Sequence, residues 1–291
     1  MRHLPLRQLA LATLLASAGL ATSSLAQTAP PDASGNALPD CYQYAKATRQ
    51  APAQTQVELF VLIDQTTPFN AQLRQSLGQQ IAPLLAPGNA LSVFAFSAYT
   101  QGFYTQRLLH ARMDTPMPQA QRDGTGKTQL KQLDQCLQFQ QQGIQKLTQE
   151  ALIKVLGQGG SSISKSDVLS SLKDLSGPIR NSNAQRKVVL LASDMLENSS
   201  VSSFYQSRSV RQLSVDAEMK KVQASNLLGD FGGAQVYVLG AGLIDTDSAT
   251  QGTYRAPKVL GALRDFWGQY FEASNAKLQE FGTPDLLGRI Q

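Results

Sequence analysis

Two aspartates fall where a chain seldom places them without a use. Asp64 ends the apolar run VELFVLID, and Asp194 ends a second run, RKVVLLASD. Carboxylates at the ends of buried runs are candidates for ligand binding. A local reading competes. In DQTTP, Thr67 can cap the next helix, and Pro68 suits a first helical position, where its missing N–H costs nothing. Ser166 is likewise a cap for a later helix, because its hydroxyl can accept from a free backbone N–H. Capping accounts for the Thr-Pro pair but not for Asp64, although a carboxylate near a helix N-terminus is favourable in itself. Other chemistries fail on counts or spacing. DGTGKT at 123–128 has Gln121 where a phosphate loop needs glycine, and no buried strand precedes it. The chain has two cysteines and two histidines, which excludes a His/Cys zinc site once His3 is set aside. His110 has no serine tied to it by any motif.

Elements that would position the aspartates follow from periodicity. VELFVLID reads as a strand buried on both faces. Phe69, Leu73, Leu77, Ile81 and Leu84 recur every three or four residues, which predicts an amphipathic helix. LSVFAFS and GFYTQRLLH predict two strands joined as a hairpin through AYTQ. A glutamine-rich helical insert is expected over about 128–157, with a kink at Gly143, and a further helix over SDVLSSLKDLSGPI. RKVVLLASD predicts a fourth strand, MLENSSVSSFYQSRSVRQLS an irregular polar stretch, 215–228 a helix and AQVYVLGAG a fifth strand. A final helix carries Leu260, Leu263, Trp267, Tyr270 and Phe271, whose spacing marks core packing. Alternating strands and helices predict an α/β fold: a mostly parallel central sheet with helices on both faces. Ligands of such sheets bind beyond the carboxyl ends of the strands, where Asp64 and Asp194 lie.

A strand followed by Asp-x-Thr and a helix resembles the metal-binding loop of von Willebrand factor type A (VWA) domains, which carry Asp-x-Ser-x-Ser there. KSDVLSSL resembles that family's Thr-Asp-x-x-x-Ala-Leu loop, and VVLLASDM its strand ending in Ser-Asp-Gly. The resemblance spans about Val57–Gly242. It implies a metal site of Asp64, Thr66, Ser166 and Asp194 holding Mg²⁺ or Mn²⁺, since hard cations prefer oxygen ligands. The pattern is degenerate: Pro68 replaces a serine and Met195 stands where glycine is usual. The implied function is a non-enzymatic module that binds another protein, through a carboxylate of that partner, in adhesion or envelope assembly. Two alternatives stay open. One is a metal-free scaffold of the same fold. The other is a phosphate-ester hydrolase resembling haloacid dehalogenases, with Asp64 as nucleophile, but Thr66 stands where that family's acid/base aspartate belongs.

Organisation and location follow from the N-terminus. Arg2 and Arg7 precede the short apolar run LALATLLASAGL, and SLA precedes Gln27, which predicts a signal peptide over 1–26 and a periplasmic or secreted protein. A flexible extension is expected over 27–55 and a single VWA-like domain over 56–291. No later stretch is long and apolar enough to span a membrane. Cys41 sits too far from the apolar run for a lipoprotein. Export favours pairing Cys41 with Cys136. Removing Arg2 and Arg7 from 26 basic residues, against 21 acidic ones, lowers the formal +5 to about +3. The basic residues are scattered, which argues against nucleic-acid binding.

Overall fold

The computed structural model describes residues 35–49, 54–97, 105–158, 166–206, 209–243 and 257–291. The expected signal peptide, the AYTQ turn and most of the loop at 243–254 lie outside the described residues.

Six strands form one sheet: β1 (Val57–Asp64), β2 (Ala90–Phe96), β3 (Thr105–Arg112), β4 (Arg186–Ala192), β7 (Ala234–Leu239) and β8 (Ala276–Phe281). Their order is β3-β2-β1-β4-β7-β8. All neighbours pair in parallel except β2 and β3, which are antiparallel. Helices α2 (Ala71–Ile81) and α4 (Lys127–Gln158), the latter preceded by the short α3 (Gln119–Arg122), pack on one face, and α5 (Val168–Arg180), α6 (Val215–Ala224) and α7 (Pro257–Ala273) on the other. The fold is thus the expected mostly parallel α/β sheet with helices on both sides. The apolar run of β1 serves both layers: Phe60 and Leu62 enter the α5–α7 core, while Leu59, Val61 and Ile63 enter the α2–α4 core. That division is the period-two alternation of a strand covered on both faces. Among the described residues no helix is long and apolar enough to cross a membrane.

Several local expectations are corrected. α2 starts later than Thr67 and Pro68 suggest. Asn70 is its N-cap, accepting from Leu73 N at 2.9 Å, so Pro68 lies outside the helix. The cap of α5 is Asp167, which accepts from Ser170 N at 3.1 Å, and this leaves the Ser166 hydroxyl for other work. α4 runs unbroken through Gly143. The stretch after Asp194 is not wholly irregular. It buries Met195, Leu196 and Phe204 and forms a small hairpin of β5 (Tyr205–Gln206) and β6 (Ser209–Val210). The sixth sheet strand, β8, follows α7 after a two-residue turn; its short, half-polar AKLQEF has little of the apolar signal of the other strands.

Part of the N-terminal extension is described, and CYQY, anchored by Cys41, is ordered there. Residues 35–49 include the short helix α1 (Cys41–Tyr44), and Cys41 is bonded to Cys136. In the chain-entropy model a loop of this length contributes about 4–5 kcal/mol. Asn36 brackets Arg112 of β3 through its side-chain amide, and Ala37 N donates to His110 O at 2.9 Å. These bonds cover part of the β3 edge, which would otherwise offer unpaired backbone groups. Arg49 reaches buried Asp114 at 2.6 Å, which ties the segment to the end of β3.

Candidate functional site

The strand order reverses between β1 and β4. In open α/β sheets the crevice at that reversal, beyond the carboxyl ends of the strands, is the usual ligand site. Asp64 is the last residue of β1, and Asp194 lies two residues beyond β4. Both are buried.

Asp64 is a junction of hydroxyls. Its Oδ1 accepts from Thr66 N at 2.9 Å and from Thr66 Oγ1 at 2.6 Å. The first of these bonds closes an Asx turn, the local motif by which aspartate imitates a backbone turn. Oδ2 accepts from Ser193 Oγ at 2.8 Å and from Ser166 Oγ at 3.3 Å. Three of the four residues singled out in the sequence, Asp64, Thr66 and Ser166, therefore meet directly. Ser193 is a fourth member that the sequence reading missed. Its only signal was a small hydroxyl residue immediately before Asp194 in an otherwise apolar run.

Asp194 joins the group through the backbone. Its N–H donates to Thr67 Oγ1 at 2.9 Å, so Thr67 fastens the two strand-end loops together instead of capping α2. Asp194 Oδ1 accepts from Leu196 N at 2.8 Å, and the Tyr205 hydroxyl lies 3.5 Å from Oδ2. Met195 follows with φ of 61°, the left-handed region in which glycine is least strained. Two bonds hold it there: Met195 N donates to Ser193 Oγ, and Met195 O accepts from Trp267 Nε1, both at 2.9 Å. Met195 thus takes a glycine-like backbone and adds a buried side chain.

The loop after Asp194 also grips the start of α5. Asn198 N donates to Ser166 O at 2.8 Å, and Glu197 Oε2 accepts from Leu169 N at 3.0 Å. Glu197 is buried, and its Oε1 has no hydrogen-bond partner among the described residues. Sequence reasoning gave Glu197 no role, because ENSS reads as surface.

Electrostatics set this end of the sheet apart. Burial pushes the Asp64 carboxyl above the usual carboxylate range, and only neutral donors oppose it: Thr66, Ser193 and Ser166. Burial drives Glu197 up to about 8. The Tyr205 phenol is raised by burial first and then by the charges of Asp194 and Asp64, which places both carboxylates within electrostatic reach of one ring. Among the described residues no three His, Cys, Asp or Glu side chains converge as a metal-binding group. A cation here would draw on hydroxyl and water oxygens beside two carboxylates. That donor set is all oxygen and fits a hard divalent ion better than a soft one.

No protein-family model matches this chain, and no curated protein matches it.

Proposed function

We propose that this chain is an exported, non-enzymatic protein-binding module that takes Mg²⁺ or Mn²⁺ at Asp64, Thr66, Ser166 and Asp194. The observation that carries the reading is Asp64: a buried carboxylate at the switch point of the sheet, surrounded by three hydroxyls and given no basic partner among the described residues. Buried charge without a counter-charge is costly, and a divalent ion would offset it. The hydroxyls of Thr66, Ser166 and Ser193 have lone pairs that a cation could share. A bound ion would supply a Lewis-acidic position for an oxygen of the partner, and a partner carboxylate suits it. The resemblance to VWA domains points the same way. The Cys41–Cys136 bond supports an oxidising compartment.

A second reading has an observation of its own. The four hydrogen bonds to Asp64 satisfy it within the protein, so the cluster could serve as a metal-free bolt joining β1, β4 and α5. Calorimetric titration of Mg²⁺ and Mn²⁺ into the full mature chain separates the two. The cation reading expects binding in the micromolar to millimolar range that is lost in Asp64→Ala and in Asp194→Ala, with both variants folded by circular dichroism. Absence of binding in the wild type would leave the bolt.

A further inference from the structure

A separate feature lies between α2 and α4. Gly78, Ile81 and Leu85 on and after α2 face Leu152, Ile153 and Leu156 on α4 across a cavity of about 390 Å³. A second cavity of about 270 Å³ shares Arg74 and Leu156 with the first and continues to Thr67, Phe69 and Asp64. The larger one alone is within the range of small-molecule sites, which are mostly apolar with a few polar groups.

Gly78 lines the open groove. This glycine sits inside a regular helix without a positive φ, so its backbone has no need of glycine. A Cβ built on it meets nothing within 4 Å. Glycine in a helix interior is less stable than alanine, and no packing contact here explains the choice. Its absent side chain leaves the space between the helices unfilled. Ile153 on the rim is 64% exposed, an apolar side chain without a neighbour to cover it.

Arg74 supplies the one charged group in the lining of either cavity besides Asp64. Its Nε donates to Phe69 O at 2.9 Å, which fixes the guanidinium at the junction of the two cavities. Among the described residues this is its only side-chain hydrogen bond, so the two Nη groups remain for a ligand. A guanidinium with a free fork recognises carboxylate in a bidentate manner.

We propose that this groove binds a monocarboxylic amphiphile of the fatty-acid class, its chain lying over Gly78 and its carboxylate on Arg74. The inference stands apart from the cation reading, since it uses neither a metal nor the Asp64 oxygens. The test is a fluorescence titration of the full mature chain with cis-parinaric acid, followed by displacement with dodecanoate and with dodecanol. The expected result is saturable binding displaced by dodecanoate, with dodecanol at least about tenfold weaker because it lacks the charge that pairs with Arg74. Arg74→Gln should weaken dodecanoate by about tenfold or more, and Gly78→Leu should abolish probe binding by filling the groove. Leucine is a better helix former than glycine, so the variant should melt no lower than wild type. If it does not fold, Ile153→Glu at the exposed rim serves the same purpose by placing a negative charge beside the chain. Lack of saturable binding would overturn the proposal. So would wild-type affinity in folded Gly78→Leu or Ile153→Glu, equal displacement by dodecanol, or binding to phosphatidylglycerol vesicles with none to monomeric dodecanoate.

Discussion

Glu58 near the start of β1 and Asp64 at its end are both buried, and each accepts hydrogen bonds from two serines on other elements. Glu58 takes them from Ser92 at 2.8 Å and Ser182 at 2.6 Å; Asp64 takes them from Ser193 and Ser166. The difference among the described residues is what each acid faces: a ring nitrogen beside Glu58, only hydroxyls and a backbone N–H beside Asp64. Ser92 has one hydroxyl proton and gives it to Glu58, so the His110 Nδ1 that lies 3.0 Å from Ser92 Oγ carries the hydrogen between them. His110 Nδ1 is 3.8 Å from Glu58 Oε1. Two other buried acids follow the Glu58 pattern: Asp114 pairs with Arg49, and Glu218 with Arg211 and Lys221. Among the described residues Asp64 and Glu197 have no such partner.

The largest expected consequence is a pH dependence at Glu197, which has no cation beside it among the described residues. Glu197 has a folded pKa of about 8, above its ordinary 4.5. Between those values the folded state binds a proton that the unfolded state does not. Its contribution to stability is therefore full below about pH 4.5 and is lost as the pH rises toward 8, at about 1.4 kcal/mol per unit. Urea unfolding from pH 5 to 8 should show wild type losing about 4 kcal/mol relative to Glu197→Gln across the window. Parallel curves for the two proteins would mean that Glu197 is as well compensated as Glu58, and the contrast between the two ends would fail.

At the compensated end the expected effect is a plain loss. Glu58→Ala strips the acceptor from two serines and removes the carboxylate that His110 faces. Removing one member of a buried, hydrogen-bonded pair costs about 3 kcal/mol. The cost should shrink in a His110→Ala background, because the imidazole that faces Glu58 is then gone, and a double-mutant cycle in urea measures that coupling. Additive costs would show that His110 is a bystander and that serine hydroxyls alone satisfy Glu58.

The legibility of these two ends in the sequence differs for a physical reason. The layered fold could be read because β1 and β4 are continuous apolar runs and because Leu73, Leu77 and Ile81 keep helical period. Asp64 and Asp194 could be read because they interrupt such runs. Ser193 and Glu197 could not, since a serine before an aspartate and a glutamate in a polar loop are common on surfaces; their burial arises from how the loop folds back on α5. Glu58 and His110 were equally hidden. Each sits within a strand whose pattern suggests only packing, and they meet through sheet register, which pairs Glu58 with Ala90 and His110 with Ser92. Capping was misjudged by local rules alone: Thr67 and Ser166 have the right chemistry for caps, but long-range bonds to Asp194 and Asp64 claim their hydroxyls, and Asn70 and Asp167 cap instead.

The smallest effect is the most discriminating. Asp64→Asn keeps the shape of the side chain and removes its charge. The Ser193 and Ser166 hydroxyls can rotate to accept from the new amide, and Thr66 can still donate to the remaining oxygen. Because burial already disfavours the charged form of Asp64, the metal-free variant at pH 8 should be as stable as wild type or more so, by about 1 kcal/mol. Saturating Mn²⁺ should reverse the order, stabilising wild type through linkage and leaving Asp64→Asn unmoved. Thermal melts with EDTA and with Mn²⁺ read both halves. A variant less stable than wild type by more than about 2 kcal/mol in EDTA would show that the charge itself holds the fold. Asp64 would then belong with Glu58, as a structural acid compensated by hydroxyls in place of a cation, and the switch point would have no charge reserved for a ligand.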